Sequence, residues 1–239
     1  MNRMALAAAV AYLPALLAQE HAQQHWPPPS LSAGQGVHAE ARTEKGRPFS
    51  ATVITQTVQT FLDGTHVNQM TKTLEYRDFD GRVRTQTAGI IVIRDPVANV
   101  SYRLDPASKS AVKERLSEGP HAIEPGQYHE AATGHSGLHS HETSEDLGSA
   151  SINGVLARGT RIVIVVPVGA IGNDREFRST YEHWFSPELN MMIKSTSTDP
   201  RFGATTYELT NIKREAPAAA LFQVPPSYTV TEGHSHEIR

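Results

Sequence analysis

Twelve histidines in a 239-residue chain that lacks cysteine are its one concentrated source of chemistry. His121, His129, His135, His139 and His141 fall within one stretch rich in Gly, Glu, Ser and Thr, and His234 and His236 lie in the last residues of the chain. Imidazole is the commonest protein ligand for zinc, copper and nickel, and it titrates near neutral pH. His139 and His141 are two residues apart, as are His234 and His236, so in extended chain each pair projects to one side. Glu142 and Glu237 follow these pairs and could add oxygen ligands. The candidate metal ligands are therefore His129, His135, His139 and His141. Against them, the spacing matches no structural zinc pattern, and a polar tract must lose conformational entropy to close around an ion.

Catalytic templates fail on residue order. Gly134-His135-Ser136-Gly137 does not have the Gly-x-Ser-x-Gly arrangement of a nucleophile elbow. His129-Glu130 begins like a zinc-protease helix, but Thr133 stands where the second His is required. His183, beside Trp184, is a candidate base, although a half-exposed sheet residue explains it more simply. There is no phosphate-cradling Gly-rich loop and no pair of carboxylates set apart as an acid–base couple. The sequence reads as a protein that is not an enzyme.

Charge and the first residues bound the setting. Lys and Arg number 22 against 25 Asp and Glu, a balance that excludes the basic face nucleic acid demands. Arg3 precedes an apolar run from Met4 to Ala18, and polar Gln19-Glu20-His21 follows. That is the layout of a signal peptide, too short for a comfortable membrane span of roughly 20 residues. Residues 1–18 are thus expected to be a signal peptide, and the product is expected to be periplasmic or extracellular without a transmembrane anchor. Lacking cysteine, it has neither disulfides nor the attachment point of a lipid anchor.

The elements that must position any site are β-strands. Residues 19–47, with Pro27-Pro28-Pro29, read as a flexible lead. A β domain is expected over 48–232 and a flexible tail over 233–239. Ser50–Phe61 is rich in β-branched residues, Asp63-Gly64 is a hairpin turn, and His66–Arg77 returns. Strands follow at Arg82–Thr87, Gly89–Arg94, Asn99–Leu104 and Ser110–Arg115. They are punctuated by Asp95-Pro96 and Asp105-Pro106, where Asp caps backbone N–H groups and Pro presets φ. Residues 119–148 read as a mobile histidine-rich insertion. Strands resume at Val155–Pro167, Glu176–Ser186, Met191–Thr198 and Thr205–Ile212, with a helical look only near Ala216–Phe222. The fold class is mainly β: one curved antiparallel sheet or half-barrel with a short C-terminal helical turn.

Trp184-Phe185-Ser186-Pro187-Glu188-Leu189, Asp199-Pro200-Arg201-Phe202-Gly203, Thr206 to Ile212 and the ending Ala220 to Pro225 with Tyr228 resemble a group of exported bacterial proteins of unknown function. In arrangement they also resemble, more weakly, the outer-membrane lipoprotein carriers. That second resemblance implies a strongly curved sheet around a helix, with an apolar concave surface; the chain departs from it in having no long internal helix. Two functions are expected from these readings. One is a non-enzymatic exported binding protein holding an apolar ligand or a partner protein segment on its sheet. The other is a periplasmic metal-binding protein using the histidine loop. The mature protein is expected to start near Gln19; N-terminal sequencing of exported material should find that end and not Met1.

Overall fold

The computed structural model describes residues 44–116 and 141–233. The expected signal peptide, and most of the expected lead, histidine-rich insertion and tail, lie outside them. The described chain forms twelve strands: β1 (Phe49–Thr60), β2 (His66–Arg77), β3 (Val83–Thr87), β4 (Ile90–Asp95), β5 (Val100–Asp105), β6 (Ser110–Arg115), β7 (His141–Ile152), β8 (Val155–Val166), β9 (Phe177–Ser186), β10 (Met191–Asp199), β11 (Gly203–Lys213) and β12 (Thr229–Glu232). A single 3-10 turn, Ala219–Phe222, supplies the helical feature. The strands make one open curved sheet in the order β12-β6-β5-β4-β3-β2-β1-β11-β10-β9-β8-β7. Two meanders, β1–β6 and β7–β11, meet where β1 pairs with β11. Every pairing is antiparallel except that of β12 with β6.

One boundary differs from the sequence expectation. His141–Gly148, assigned there to the mobile insertion, forms the first two thirds of β7 and pairs with β8. The run is polar because β7 is an edge strand exposed along most of its length, so no apolar alternation marks it. Its hairpin with β8 turns on Asn153 and Gly154, both at positive φ, 48° and 80°.

The three Asp-Pro turns work as expected. The Asp95 carboxylate accepts from the N–H groups of Val97 and Ala98, Asp105 accepts from Ala107 and Ser108, and Asp199 accepts from Arg201. The main core gathers Phe49, Ala51 and Val53 with Leu189, Met191, Ile193, Tyr207 and Leu209, and also takes in Val155 and Ala157. A second core, Ile91, Ile93, Leu104 and Ala111, is packed by Tyr102 and by Val224 and Tyr228 of the C-terminal segment. Trp184 lies opposite Gly159 on β8, and a Cβ at 159 would stand 2.7 Å from its ring, so glycine there makes room for the indole.

Two charges are buried between these layers. Arg77 is fully buried, its Nε donating to the Arg47 carbonyl and its Nη2 to the Leu189 carbonyl. Its guanidinium also lies 4.8 Å from the Phe49 ring centre. Glu75, two residues back on the same face, is also buried. Burial pushes its carboxyl up to about 7 against the opposing pull of Arg77. The folded state therefore holds this proton more tightly than the unfolded chain, whose carboxyl titrates near 4.5. The stability this group contributes is complete below that value and is lost as pH rises toward 7. Replacing Glu75 with Gln should flatten the profile: melting followed by circular dichroism should find Glu75→Gln gaining on wild type between pH 4.5 and 7, on the order of 3 kcal/mol in total.

Candidate functional site: an open strand edge beside an apolar rim

The expected metal ligands do not form a centre among the described residues. His141 is exposed at the start of β7, while His129, His135 and His139 lie outside the described residues, as do His121, His234 and His236. Among the described residues no three His, Asp or Glu side chains converge as an ion would require. His183 lies half-buried on β9, opposite Ser195 and Thr160.

The middle of the sheet is polar on both faces. Because directly paired residues share a face, one row runs Thr71, Thr55, Tyr207, Ser195, His183, Thr160, and the next runs Gln69, Thr57, Thr205, Ser197, Tyr181, Ile162. The Thr57 and Thr205 hydroxyls meet at 3.2 Å, and those of Thr73 and Thr87 at 2.6 Å. On the opposite face, Glu145, Arg161 and Glu182 form a ladder across β7, β8 and β9, and Glu182 accepts from the Trp184 indole N–H at 2.9 Å. The hydrogen bonds from Trp184 and Arg161 hold the Glu182 carboxyl below its ordinary range despite partial burial.

Exposed apolar side chains gather instead at one end. The β1–β2 turn, the β8–β9 loop and the β10–β11 turn lie there together, since Val58 pairs with Ala204, Thr198 with Thr180, and Val166 with Phe177. Of eleven exposed large hydrophobic residues among the described ones, seven belong to this end: Phe61, Leu62, Val67, Met70, Val168, Ile171 and Phe202. Leu62, at the tip of the β1–β2 hairpin, is fully exposed.

The rim is held rigidly. Asp199 is buried, receiving the Ser179 hydroxyl at 2.6 Å and the Arg201 guanidinium at 2.9 and 2.7 Å. Burial raises its carboxyl, but these donors outweigh burial and leave it below the ordinary range. Arg201 lies 5.0 Å from the Phe177 ring centre and 4.9 Å from that of Phe202. Beside it is a shallow cleft of about 430 Å³ formed by residues 171–177 with Pro200 and Arg201. Ser179 is 2% exposed and its hydroxyl is committed to Asp199, so the cluster fastens a turn and does not present a nucleophile.

Next to this rim is an unpaired strand edge. β2 pairs with β1 along all twelve residues, but β3 covers only Thr73–Arg77 on its other side. His66–Lys72 is exposed throughout, and among the described residues no strand pairs with it on the side away from β1. Hydrogen bonds at the two ends of β2 fix which peptide groups point outward. Phe61 N–H donates to the Thr65 carbonyl, and Asp78 N–H to the Arg82 carbonyl. With antiparallel alternation, odd-numbered residues of β2 bond toward β1 and even-numbered ones toward β3. The N–H and C=O groups of His66, Asn68, Met70 and Lys72 therefore face away from β1. The sequence signal for this edge was its strand lengths, twelve residues for β2 against five for β3.

No family model and no curated protein sequence matches the chain. Solved structures do. The Pseudomonas aeruginosa MucA/MucB complex aligns at a TM-score of 0.43 and 13% identity over 82% of this chain and 62% of that one. A LolA superfamily protein from Nitrosomonas europaea aligns at 0.31 and 10%, covering 77% of this chain and 93% of that one. The Mycobacterium tuberculosis lipoprotein LppX aligns at 0.27 and 11%, with coverages of 76% and 94%. The chain spans about three fifths of the length of the MucB structures. The weak resemblance to the lipoprotein-carrier group is met among these matches. At such identities the likeness concerns the fold, and what the chain binds has to be read from its own surface.

The rim's anchor can be tested directly. Asp199→Asn should cost about 1–3 kcal/mol at neutral pH, because it leaves the buried Ser179 hydroxyl and the Arg201 guanidinium without their carboxylate acceptor. Since the Asp199 carboxyl is held below its unfolded value, the deficit should shrink as the solution is acidified through the carboxylate range, read as converging melting temperatures.

Proposed function

We propose that the chain is an exported, non-enzymatic binding protein that holds an extended partner segment as an added strand along His66–Lys72. One observation carries the reading: four residues with outward-facing peptide groups, on an exposed edge, belong to a hairpin that also exposes Phe61, Leu62, Val67 and Met70. Strand addition takes affinity from main-chain hydrogen bonds and specificity from alternating side chains.

Magnitudes explain why both features are needed. Ordering about seven partner residues costs roughly 1–2 kcal/mol each. About eight new backbone hydrogen bonds return only ~0.5–1.5 kcal/mol each. Main-chain pairing therefore comes close to break-even, and burial of Phe61, Leu62, Val67 and Met70 supplies the surplus. A lipid-like ligand on the sheet is less favoured, because both central faces present hydroxyl, amide or charged groups where such a ligand needs apolar lining.

Asn68→Pro tests the reading. Proline at 68 removes an outward N–H while the β1–β2 bonds of Val67 and Gln69 remain, and Val67 keeps the extended conformation that proline favours before it. Peptides selected from a random library on the purified protein should slow amide exchange at His66, Asn68, Met70 and Lys72. Asn68→Pro should abolish their binding with an unchanged circular dichroism spectrum, whereas Asn68→Ala, which also loses the 3.1 Å contact with Gln56, should retain it. Protection appearing elsewhere on the sheet would overturn the proposal.

A further inference from the structure

We infer that the sheet face bearing Trp184 holds a saccharide: a gluco-configured pyranose stacked on the indole, its hydroxyl edge against Arg161 and Glu182. The inference is independent of the strand-addition reading and concerns the other half of the sheet.

The platform is the indole itself. Trp184 is half-buried and packs against the main apolar cluster. Its Cη2, Cζ3 and Cε3 atoms would stand 2.7, 2.7 and 2.8 Å from a Cβ at 159. Three consecutive ring atoms at nearly one distance put that point over the ring face, since from the rim the middle atom would be much the nearest. A Cβ stands out from the sheet surface, so the indole lies flat across β8 with one face on Gly159. The exposure that the side chain keeps therefore belongs to its outer face and its rim. Opposite Gly159 on β7 is Gly148, where a Cβ would meet nothing within 4 Å, so the floor stays open beyond the ring.

Polar groups wall the platform on its rim side. Arg161 lies two residues from Gly159 and Glu182 two residues from Trp184, so both share the indole's face, and Glu145 pairs with Arg161 from β7. Arg161 meets Glu145 at 3.1 Å and Glu182 at 3.0 Å, and Glu182 accepts the indole N–H at 2.9 Å. Lys194, directly across from Trp184 on β10, meets Glu208 at 4.0 Å. Each of these carboxylates has a cation beside it, so the wall alternates donors and acceptors and favours hydroxyl groups over a free ion.

A pyranose matches both parts. The face of an indole is electron-rich, and the axial C–H groups of a sugar ring carry slight positive charge. A gluco-configured ring has its hydroxyls equatorial, which leaves a face of axial C–H groups for the indole and points the hydroxyls sideways at the wall. A lipid chain would leave the wall unmatched, and an ion would leave the ring unused.

Cellotriose and the β-1,4-linked trimer of N-acetylglucosamine are the probes, titrated to millimolar concentration against the full chain carrying Trp26→Phe, which leaves Trp184 as its one indole. At least one trimer should shift the Trp184 emission to shorter wavelength and move its indole N–H resonance, both saturably. Arg161→Ala removes an exposed ion pair and should raise the half-saturating concentration about 3- to 10-fold with a nearly unchanged melting temperature. Trp184→Ala should abolish saturation transfer to the sugar protons; if that variant fails to fold, Trp184→Phe, with a smaller ring and no N–H, should still weaken it. Asn68→Pro should leave saccharide binding unchanged, which separates this site from the strand edge. An indole resonance that neither trimer moves overturns the inference, as does binding that Arg161→Ala and the Trp184 variants leave intact. A response that glycerol reproduces at equal hydroxyl concentration overturns it too, and tighter binding of choline than of either trimer would assign the face to an organic cation instead.

Discussion

The sheet is organised around a single buried cation. Arg77 ends β2 in one meander, yet its guanidinium bonds the Leu189 carbonyl in the β9–β10 turn of the other and the Arg47 carbonyl just before β1. Arg47 in turn donates to the carbonyls of Pro187 and Glu188, and Asn190 to the Glu44 carboxylate. Lead-in, first hairpin and second meander are thus closed around one side chain. Burial pulls the Arg77 guanidinium down to about 10, with Glu75 opposing that shift, and its Nη1 is buried without a hydrogen-bond partner among the described residues. A buried charge is a poor source of net stability but a strong source of specificity when several partners converge on it. Here the convergence fixes how the β9–β10 turn sits against the start of β1, and from there the register between the halves.

The main apolar core lies at this end of the sheet. Core residues Phe49, Ala51 and Val53 occupy the first half of β1, whereas Thr55 to Thr60 carry a single aliphatic residue, Val58. β1 stays paired with β11 as far as Val58, whereas the His66–Lys72 half of β2 pairs only with β1 among the described residues. The functional candidate therefore sits where packing stops, on a strand whose opposite end is anchored by Arg77.

Much of this was legible in the sequence. Asp63-Gly64, Asp95-Pro96, Asp105-Pro106 and Asp199-Pro200 punctuate the strands because each supplies a local acceptor or a permissive φ, and that chemistry survives any tertiary context. β7 was missed because a polar edge strand is defined by its partner. Glu142, Ser144 and Glu145 have no apolar rhythm, and the one local mark was Asn153-Gly154 at its far end. β12 was missed for a similar reason, being four residues held by β6 through bonds such as Thr229 N–H to the Lys109 carbonyl. The candidate site was legible least of all. Histidines are conspicuous as chemistry, whereas an open edge follows from a difference in the lengths of neighbouring strands, which no residue type marks.

Three strand edges are open among the described residues, and they are not treated alike; the contrast separates a binding edge from an accident of topology. β7 carries Glu142, Glu145 and Asp146 and a register shift between Asp146 and Gly148, two devices that discourage edge-to-edge pairing. β12 is only four residues long and places Glu232 against Lys113. His66–Lys72 has neither an acidic residue nor a bulge within it, and it leads from a fully exposed leucine past Val67 and Met70. Such an edge is an aggregation liability. A chain that blunts two edges and leaves the third flat, apolar-flanked and charged only by Lys72 at its inner end retains that liability at one place. Use as a docking strand is the physical role that the blunted edges cannot fill and this one can.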